Sequence, residues 1–462
     1  MNRTKNIIFA LFFPLLLFSF CNIYAQENQP TDDGDSGDGG GIEGIVLSDT
    51  KLKVELVVSG LDFPTTMAFL GPDDFLILEK AGIVKRITNG VVLDKPLLQV
   101  DVSVKDERGL LGIAISEKKN LNDDNGTSSI KNNNISHNVF LHYVICKEKN
   151  TGCENRIYRY DLDIKNNVLI NPKLLLSIPS FPDPAHIGGI IDIGPDNNLY
   201  FTVGNFQHTI PSEVYKTRTQ NYEDGEPVDG RSGVLRITQD GKPVREGILG
   251  SEYPLNLYYA YGVKNSFGID FDPVTKKLWV TENGPKFGDE INLAEPGFNS
   301  GSDKIFGIWR VDQEGKKLQT DGREGEYVIV GNNPKDLVYF EGKGHYSPPE
   351  FIWDKSTPPT ALLFLDSRNF GTDYENDMFV GSVDGQIFHF NLNDNRTGLL
   401  LTGILEDKIA ADETEFADIL FAEGFSIITD LKQGPDGNLY VVSGIKQSKS
   451  EKYGAVYRIV PS

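Results

Sequence analysis

Residues 189–204 read GIIDIGPDNNLYFTVG, an apolar strand-like run, a Gly-Pro-Asp-Asn-Asn turn and a second apolar run. Two such runs around a turn rich in Gly, Pro, Asp and Asn form a β-hairpin pattern. The arrangement returns at 428–442 (ITDLKQGPDGNLYVV), at 67–79 (MAFLGPDDFLILE) and at 267–282 (FGIDFDPVTKKLWVTE). Each copy is followed by a further strand-like run, at 233–237, 454–459, 82–87 and 290–293 respectively. Two more units keep the strands: 109–115 with 138–145 and 156–160, and 361–365 with 377–382 and 385–390. A repeated strand meander buries its faces only by stacking on its neighbours. Six units at roughly 70 residues each have the size of propeller blades. The expected fold is all-β, a six-bladed β-propeller of four-stranded antiparallel blades over residues 51–462. A pair of β-sandwiches is the alternative, which the recurrence of Gly-Pro-Asp at one place in three units disfavours. Closure of the ring is expected to pair residues 53–58 with the C-terminal blade.

The chain has 462 residues and a formal net charge of −21. Nucleic-acid affinity rests on basic residues that neutralise phosphates, so this balance argues against a nucleic-acid partner. At the N-terminus Arg3 and Lys5 precede an apolar run from Ile7 to Phe20 and the small-residue site ending at Ala25. Residues 1–25 read as a secretory signal peptide, with a retained anchor as the alternative. A secreted or cell-surface protein is expected, with no transmembrane segment after cleavage. Residues 26–50 are acidic and poor in apolar side chains, the composition of a disordered linker. Cys146 and Cys153 flank a short polar loop between two strand-like runs, which in an exported protein predicts a hairpin disulfide; two free core thiols are the other reading. Asn125, Asn134 and Asn395 open glycosylation sequons.

Two clusters differ from generic blade sequence: Pro184 to Gly189 around His186, and Tyr261 to Gly268 leading to Glu282-Asn283-Gly284-Pro285 and Asp289. With residues 61–69 (LDFPTTMAF), 109–114 (GLLGIA) and Pro359-Thr360, these clusters resemble the soluble quinoprotein glucose/sorbosone dehydrogenase family over about 400 residues. The resemblance implies a pyrroloquinoline quinone (PQQ)- and Ca²⁺-dependent aldose dehydrogenase acting on a small sugar and passing electrons to an external acceptor. It makes His186 the base that takes the C1 hydroxyl proton, with Asn205 orienting it and Lys264 polarising the quinone. It assigns cofactor contacts to Glu107, Lys264, Asn265, Asn283 and Thr360. Backbone carbonyls of Gly284 and Pro285 are the implied calcium ligands, hard oxygen donors of the kind Ca²⁺ takes.

The departures from the family pattern are specific. Lys264 keeps a charge where the family has Arg but loses the bidentate fork. Asn205 and Ala185 stand where the family has Asp, and Glu107 where it has Gln. The basic positions of the fifth and sixth units fall near Asp384, Ile427 and Thr429, none of them basic, so PQQ with its three carboxylates has fewer cations to meet. Lys355, Arg368 and Lys432 are the possible substitutes. Two further functions stand beside the dehydrogenase: a non-catalytic propeller that binds glycans or proteins at the cell surface, and a hydrolase using His186 with bound Ca²⁺.

Overall fold

The computed structural model describes residues 42, 44–118, 135–147, 151–180, 183–206, 216–285, 287–308, 310–311, 317–323, 326–328, 333–444 and 454–462. The expected signal peptide, most of the expected linker, Asn125 and Asn134 lie outside these residues. The described strands form an all-β propeller.

In chain order, the first sheet comprises Pro64–Gly71, Asp74–Glu79 and Ile83–Thr88, with Val91–Val92 and Leu98–Gln99 both paired to Ile83–Thr88. The second runs Leu110–Glu117, Ile135–Lys147, Thr151–Asp163, Val168–Pro179. The third runs Gly188–Ile193, Leu199–Val203, Gly233–Ile237, Tyr258–Tyr261, and the fourth Ile269–Phe271, Leu278–Glu282, Asp289–Ala294, Phe351–Trp353. The fifth holds Pro359–Leu365, Asp377–Ser382, Ile387–Phe390 and Leu420–Glu423. In the last, Ile427–Gln433, Leu439–Gly444 and Gly454–Pro461 are completed by Leu52–Leu61, with Val54 opposite Ile459. The N-terminal strand thus closes the ring as expected. A small separate sheet is built from Arg310–Val311, Lys317–Arg323 and Glu326–Val328.

The expectation of uniformly four-stranded antiparallel blades needs correction. Phe298–Asn299 and His345–Tyr346 extend the third sheet in parallel, and Ile409–Ala410 does the same for the fourth. These segments cover outer edges whose backbone groups would otherwise be unpaired. Within the stretch 26–50, Val46–Leu47 pairs with the outer strand Leu420–Glu423. Cys146 and Cys153 are joined as a disulfide across the bulged end of the second sheet's hairpin.

The repeated Gly-Pro-Asp turn has a shared cause. Asp196 accepts from Asn198 N at 3.1 Å, Asn198 Nδ2 at 2.8 Å and Tyr200 Oη at 3.0 Å. Asp436 repeats the set with Asn438 N, Asn438 Nδ2 and Tyr440 Oη at 3.2, 2.8 and 3.0 Å. The Asp side chain therefore holds the turn while the Tyr two residues past its Asn ties it to the next strand. Fully buried Phe201, Trp279, Phe351 and Phe379 fill the space between strand faces.

Three innermost strands bring Asp192, Asp270 and Asp430 near Lys432, whose Nζ lies 3.4 Å from Asp430 Oδ1. Asp270 accepts the N–H groups of Phe271 and Phe364, both at 2.7 Å. Burial, then the charge of Asp192, pushes its pKa up to about 7. A carboxyl whose pKa is raised on folding holds its proton better in the folded chain, so its contribution is full at pH 4 and lost as pH rises through about 7. The melting temperature should therefore fall between about pH 4 and pH 7 and level off above, and Asp270→Asn should flatten that fall; a slope unchanged in the variant, followed by calorimetry, contradicts this assignment.

Candidate active site

A cavity of about 420 Å³ lies among the inner ends of the sheets, walled by Phe63, Leu111, Ile190, Phe267, Pro358 and Ile427. Polar groups at its wall include Lys80, Asp106, Glu107, Asn283, Thr360 and Thr429.

His186 sits in the turn that enters the third sheet, with φ +52° at His186 and +69° at Gly188. That left-handed turn is tied down from two sides. Glu107 Oε2 accepts Ile187 N at 3.1 Å and Asn265 Nδ2 at 3.2 Å, while Asn265 Oδ1 accepts Gly188 N at 3.1 Å. Glu107 and Asn265 thus act first as clamps on the histidine loop. Gly204 lets the neighbouring strand end approach, since a Cβ there would lie 2.0 Å from the His186 carbonyl oxygen. Gly204→Ala should displace the loop and cost about 1–3 kcal/mol, the usual range for overpacking a closed site; an unaltered melting temperature and an unshifted His186 resonance would contradict it.

The imidazole is held at both nitrogens. Nδ1 lies 3.0 Å from Asn205 Oδ1, and Nε2 lies 3.2 Å from Lys264 Nζ. Lys264 Nζ also donates to the carbonyl oxygens of Asn283 at 3.2 Å and Gly284 at 2.9 Å. An ammonium has three N–H bonds, and these three partners use them all. Asp289 fixes the carbonyl turn by accepting Gly284 N and Thr357 N, each at 2.7 Å, and Ser356 Oγ at 3.1 Å. Burial lowers the pKa of Lys264, and raises those of Glu107 and Asp289, with Lys264 opposing both rises.

The sequence-derived residues divide accordingly. His186, Asn205 and Lys264 come together in one hydrogen-bonded chain, with Glu107 and Asn265 behind them. Asn283 and Thr360 reach the cavity wall, but Thr360 Oγ1 donates to the backbone oxygens of Gly381 and Ile428. Pro285 is exposed and Gly284 presents its carbonyl to Lys264. Asp384 is exposed, whereas Ile427 and Thr429 occupy the wall. The substitute cations do not reach it: Lys355 pairs with Glu413 at the surface, Arg368 with Glu375, and Lys432 with Asp430. Among the described residues the ammonium at the wall is that of Lys80, which bonds the Asp106 carbonyl and lies 5.1 Å from the Phe63 ring centre. It escapes a sequence reading because it looks like an ordinary charge just past the strand Asp74–Glu79. Asp303, which accepts from Asn205 Nδ2 at 2.9 Å, escapes as well, being 98 positions away in the chain.

The Glucose / Sorbosone dehydrogenase family pattern matches residues 61–452, and the chain belongs to that family. Among its relatives is the aldose sugar dehydrogenase YliI of Escherichia coli, 22% identical over 89% of this chain and 93% of that protein. Quinoprotein glucose dehydrogenase B of Acinetobacter calcoaceticus is 26% identical over 73% of this chain and 77% of its own. The PQQ-bound aldose sugar dehydrogenase of Streptomyces coelicolor shares the fold at TM-score 0.57 and 20% identity, covering 89% of this chain and 99% of that one.

The two groups implied by the family fare differently here. Calcium needs hard oxygens at about 2.3–2.6 Å, but the Gly284 carbonyl already receives the Lys264 ammonium, and a metal there would face a cation across one oxygen. The residues present do not fit that ion. A flat quinone ring matches the apolar wall and the cavity volume, and the buried Asn283 Oδ1 at the wall has no partner among the described residues. For its carboxylates the wall supplies Lys80 beside two acids, Asp106 and Glu107.

Proposed function

We infer that the protein is an exported PQQ-dependent aldose dehydrogenase, oxidising the C1 hydroxyl of a sugar and passing electrons to an external acceptor. The observation that carries this reading is the imidazole of His186, whose Nδ1 faces the Asn205 carbonyl and whose Nε2 faces Lys264. With Nδ1 donating, Nε2 holds the lone pair a base requires. The quinone, when bound, supplies the two-electron acceptor for the hydride.

The chain's own residues do the rest. A sugar hydroxyl takes the place of Lys264 on Nε2 and gives its proton there. Lys264 keeps its two carbonyl partners and stays as a cation beside the cavity. Asn205 holds the protonated Nδ1 throughout. Glu107 and Asn265 keep the loop from relaxing, and the apolar wall from Phe63 to Ile427 limits water.

Sheets of four or more strands recur six times among the described residues, which supports a six-bladed ring over 51–462. Export is supported by the signal-like residues 1–25 and by the Cys146–Cys153 disulfide, a bond of oxidising compartments. Among the described residues no helix is long and apolar enough to cross a membrane. The wall, with one ammonium beside two acids, favours a second reading, a propeller that binds glycans or proteins without catalysis.

The test is dye reduction by the mature protein supplied with PQQ and a panel of aldoses. Sugar-dependent reduction is expected, falling by about 10²–10⁴-fold in His186→Ala, the range for loss of a general base. No reduction and no saturable PQQ binding would overturn the enzyme reading in favour of the second.

A further inference from the structure

The family's carboxylate partner of the histidine is an amide here, yet a carboxylate stands one residue further back. Asn205 Oδ1 faces His186 Nδ1 at 3.0 Å, and Asn205 Nδ2 donates to Asp303 Oδ1 at 2.9 Å. Asp303 is half-buried among donors: Gln220 Nε2 reaches its Oδ2 at 3.1 Å and Ser302 Oγ its Oδ1 at 2.8 Å.

The polarity of this chain is fixed from a backbone group outward. Thr217 N, which can only donate, gives its proton to Gln220 Oε1 at 3.1 Å, so Gln220 must turn its Nε2 toward Asp303. An ionised Asp303 only accepts, so the Asn205 amide must present nitrogen to it and oxygen to the imidazole. An amide oxygen at Nδ1 demands a proton on Nδ1, and that leaves the lone pair on Nε2 to accept from Lys264, whose ammonium only donates and favours the same tautomer. Burial raises the pKa of Asp303 and its donors oppose the rise.

We propose that Asp303 is a positioning residue for His186, selecting its Nδ1–H tautomer through the amide of Asn205. The chemical consequence rests on the dehydrogenase reading above, but the tautomer does not. Asp303→Asn removes the obligate acceptor: its new amide keeps oxygen toward the Gln220 donor and turns its own N–H₂ toward Asn205 and Ser302, whose hydroxyl rotates to accept. Asn205 then flips and offers N–H₂ to Nδ1; the proton moves onto Nε2 as Lys264 withdraws to its two carbonyl partners, and a substrate proton can no longer be taken there. The exchange variant Asn205→Asp with Asp303→Asn puts the carboxylate next to the imidazole and restores the Nδ1–H tautomer.

The experiment is ¹⁵N NMR of ring-labelled histidine in the mature protein, with His186 assigned by His186→Gln, alongside steady-state kinetics. Wild type should show the Nδ1–H tautomer, Asp303→Asn the Nε2–H tautomer, and the exchange variant the wild-type pattern. In the active enzyme kcat should fall about 10- to 100-fold in Asp303→Asn with KM little changed, and recover in the exchange variant. An Nε2–H tautomer in wild type, or an Nδ1–H tautomer with full kcat in Asp303→Asn, overturns the proposal. If Asp303→Asn does not fold, the wild-type spectrum and the exchange variant still decide it. A protein that turns over no sugar refutes the dehydrogenase reading and leaves the tautomer result to judge Asp303.

Discussion

The site depends on where one ammonium is held. Lys264 Nζ spends its three protons on His186 Nε2 and on the carbonyls of Asn283 and Gly284, and nearly everything around it serves that arrangement. Asp289 pins the carbonyl turn, and Glu282 Oε1 accepts the backbone N–H of Lys264 at 2.6 Å. Burying a cation is costly unless it is fully hydrogen-bonded. Here the cost is offset by three direct acceptors and by four surrounding carboxyl groups, those of Asp289, Glu107, Glu282 and Asp303. The replacement of a guanidinium by an ammonium at this position is thus not a simple shortening. A compact point charge can enter a carbonyl cradle where a planar fork could not.

The propeller was readable because hairpin strands and their turns repeat. The Gly-Pro-Asp turns were readable for the same reason that they fold, since one Asp, one Asn and one Tyr close both the third and the last sheet's turn. The added strands were not, because Phe298–Asn299, His345–Tyr346 and Ile409–Ala410 are two residues each and carry no periodicity. Val46–Leu47 was hidden by the acidic composition around it, although pairing with an outer strand needs backbone groups rather than a hydrophobic pattern.

At the site, His186, Asn205 and Lys264 could be picked out because each lies at the end of an innermost or adjoining strand within a recognisable motif. Their mutual contacts are tertiary, and no spacing in the chain reports them. Lys80 and Asp303 look like ordinary surface charges in sequence. Only the fold brings the first to the cavity wall and the second behind Asn205. The acidic balance of the whole chain also takes on a local meaning, since the cavity wall itself carries Asp106 and Glu107 beside Lys80.

Lys264, rather than a divalent ion, is the cation at the Asn283–Gly284 carbonyls. Equilibrium titration of PQQ into the mature protein, in excess EDTA and again in millimolar Ca²⁺, tests it most directly. The same dissociation constant is expected in both conditions, with a gain of Ca²⁺ dependence in Lys264→Ala. Binding by the wild-type protein that requires Ca²⁺ would contradict it.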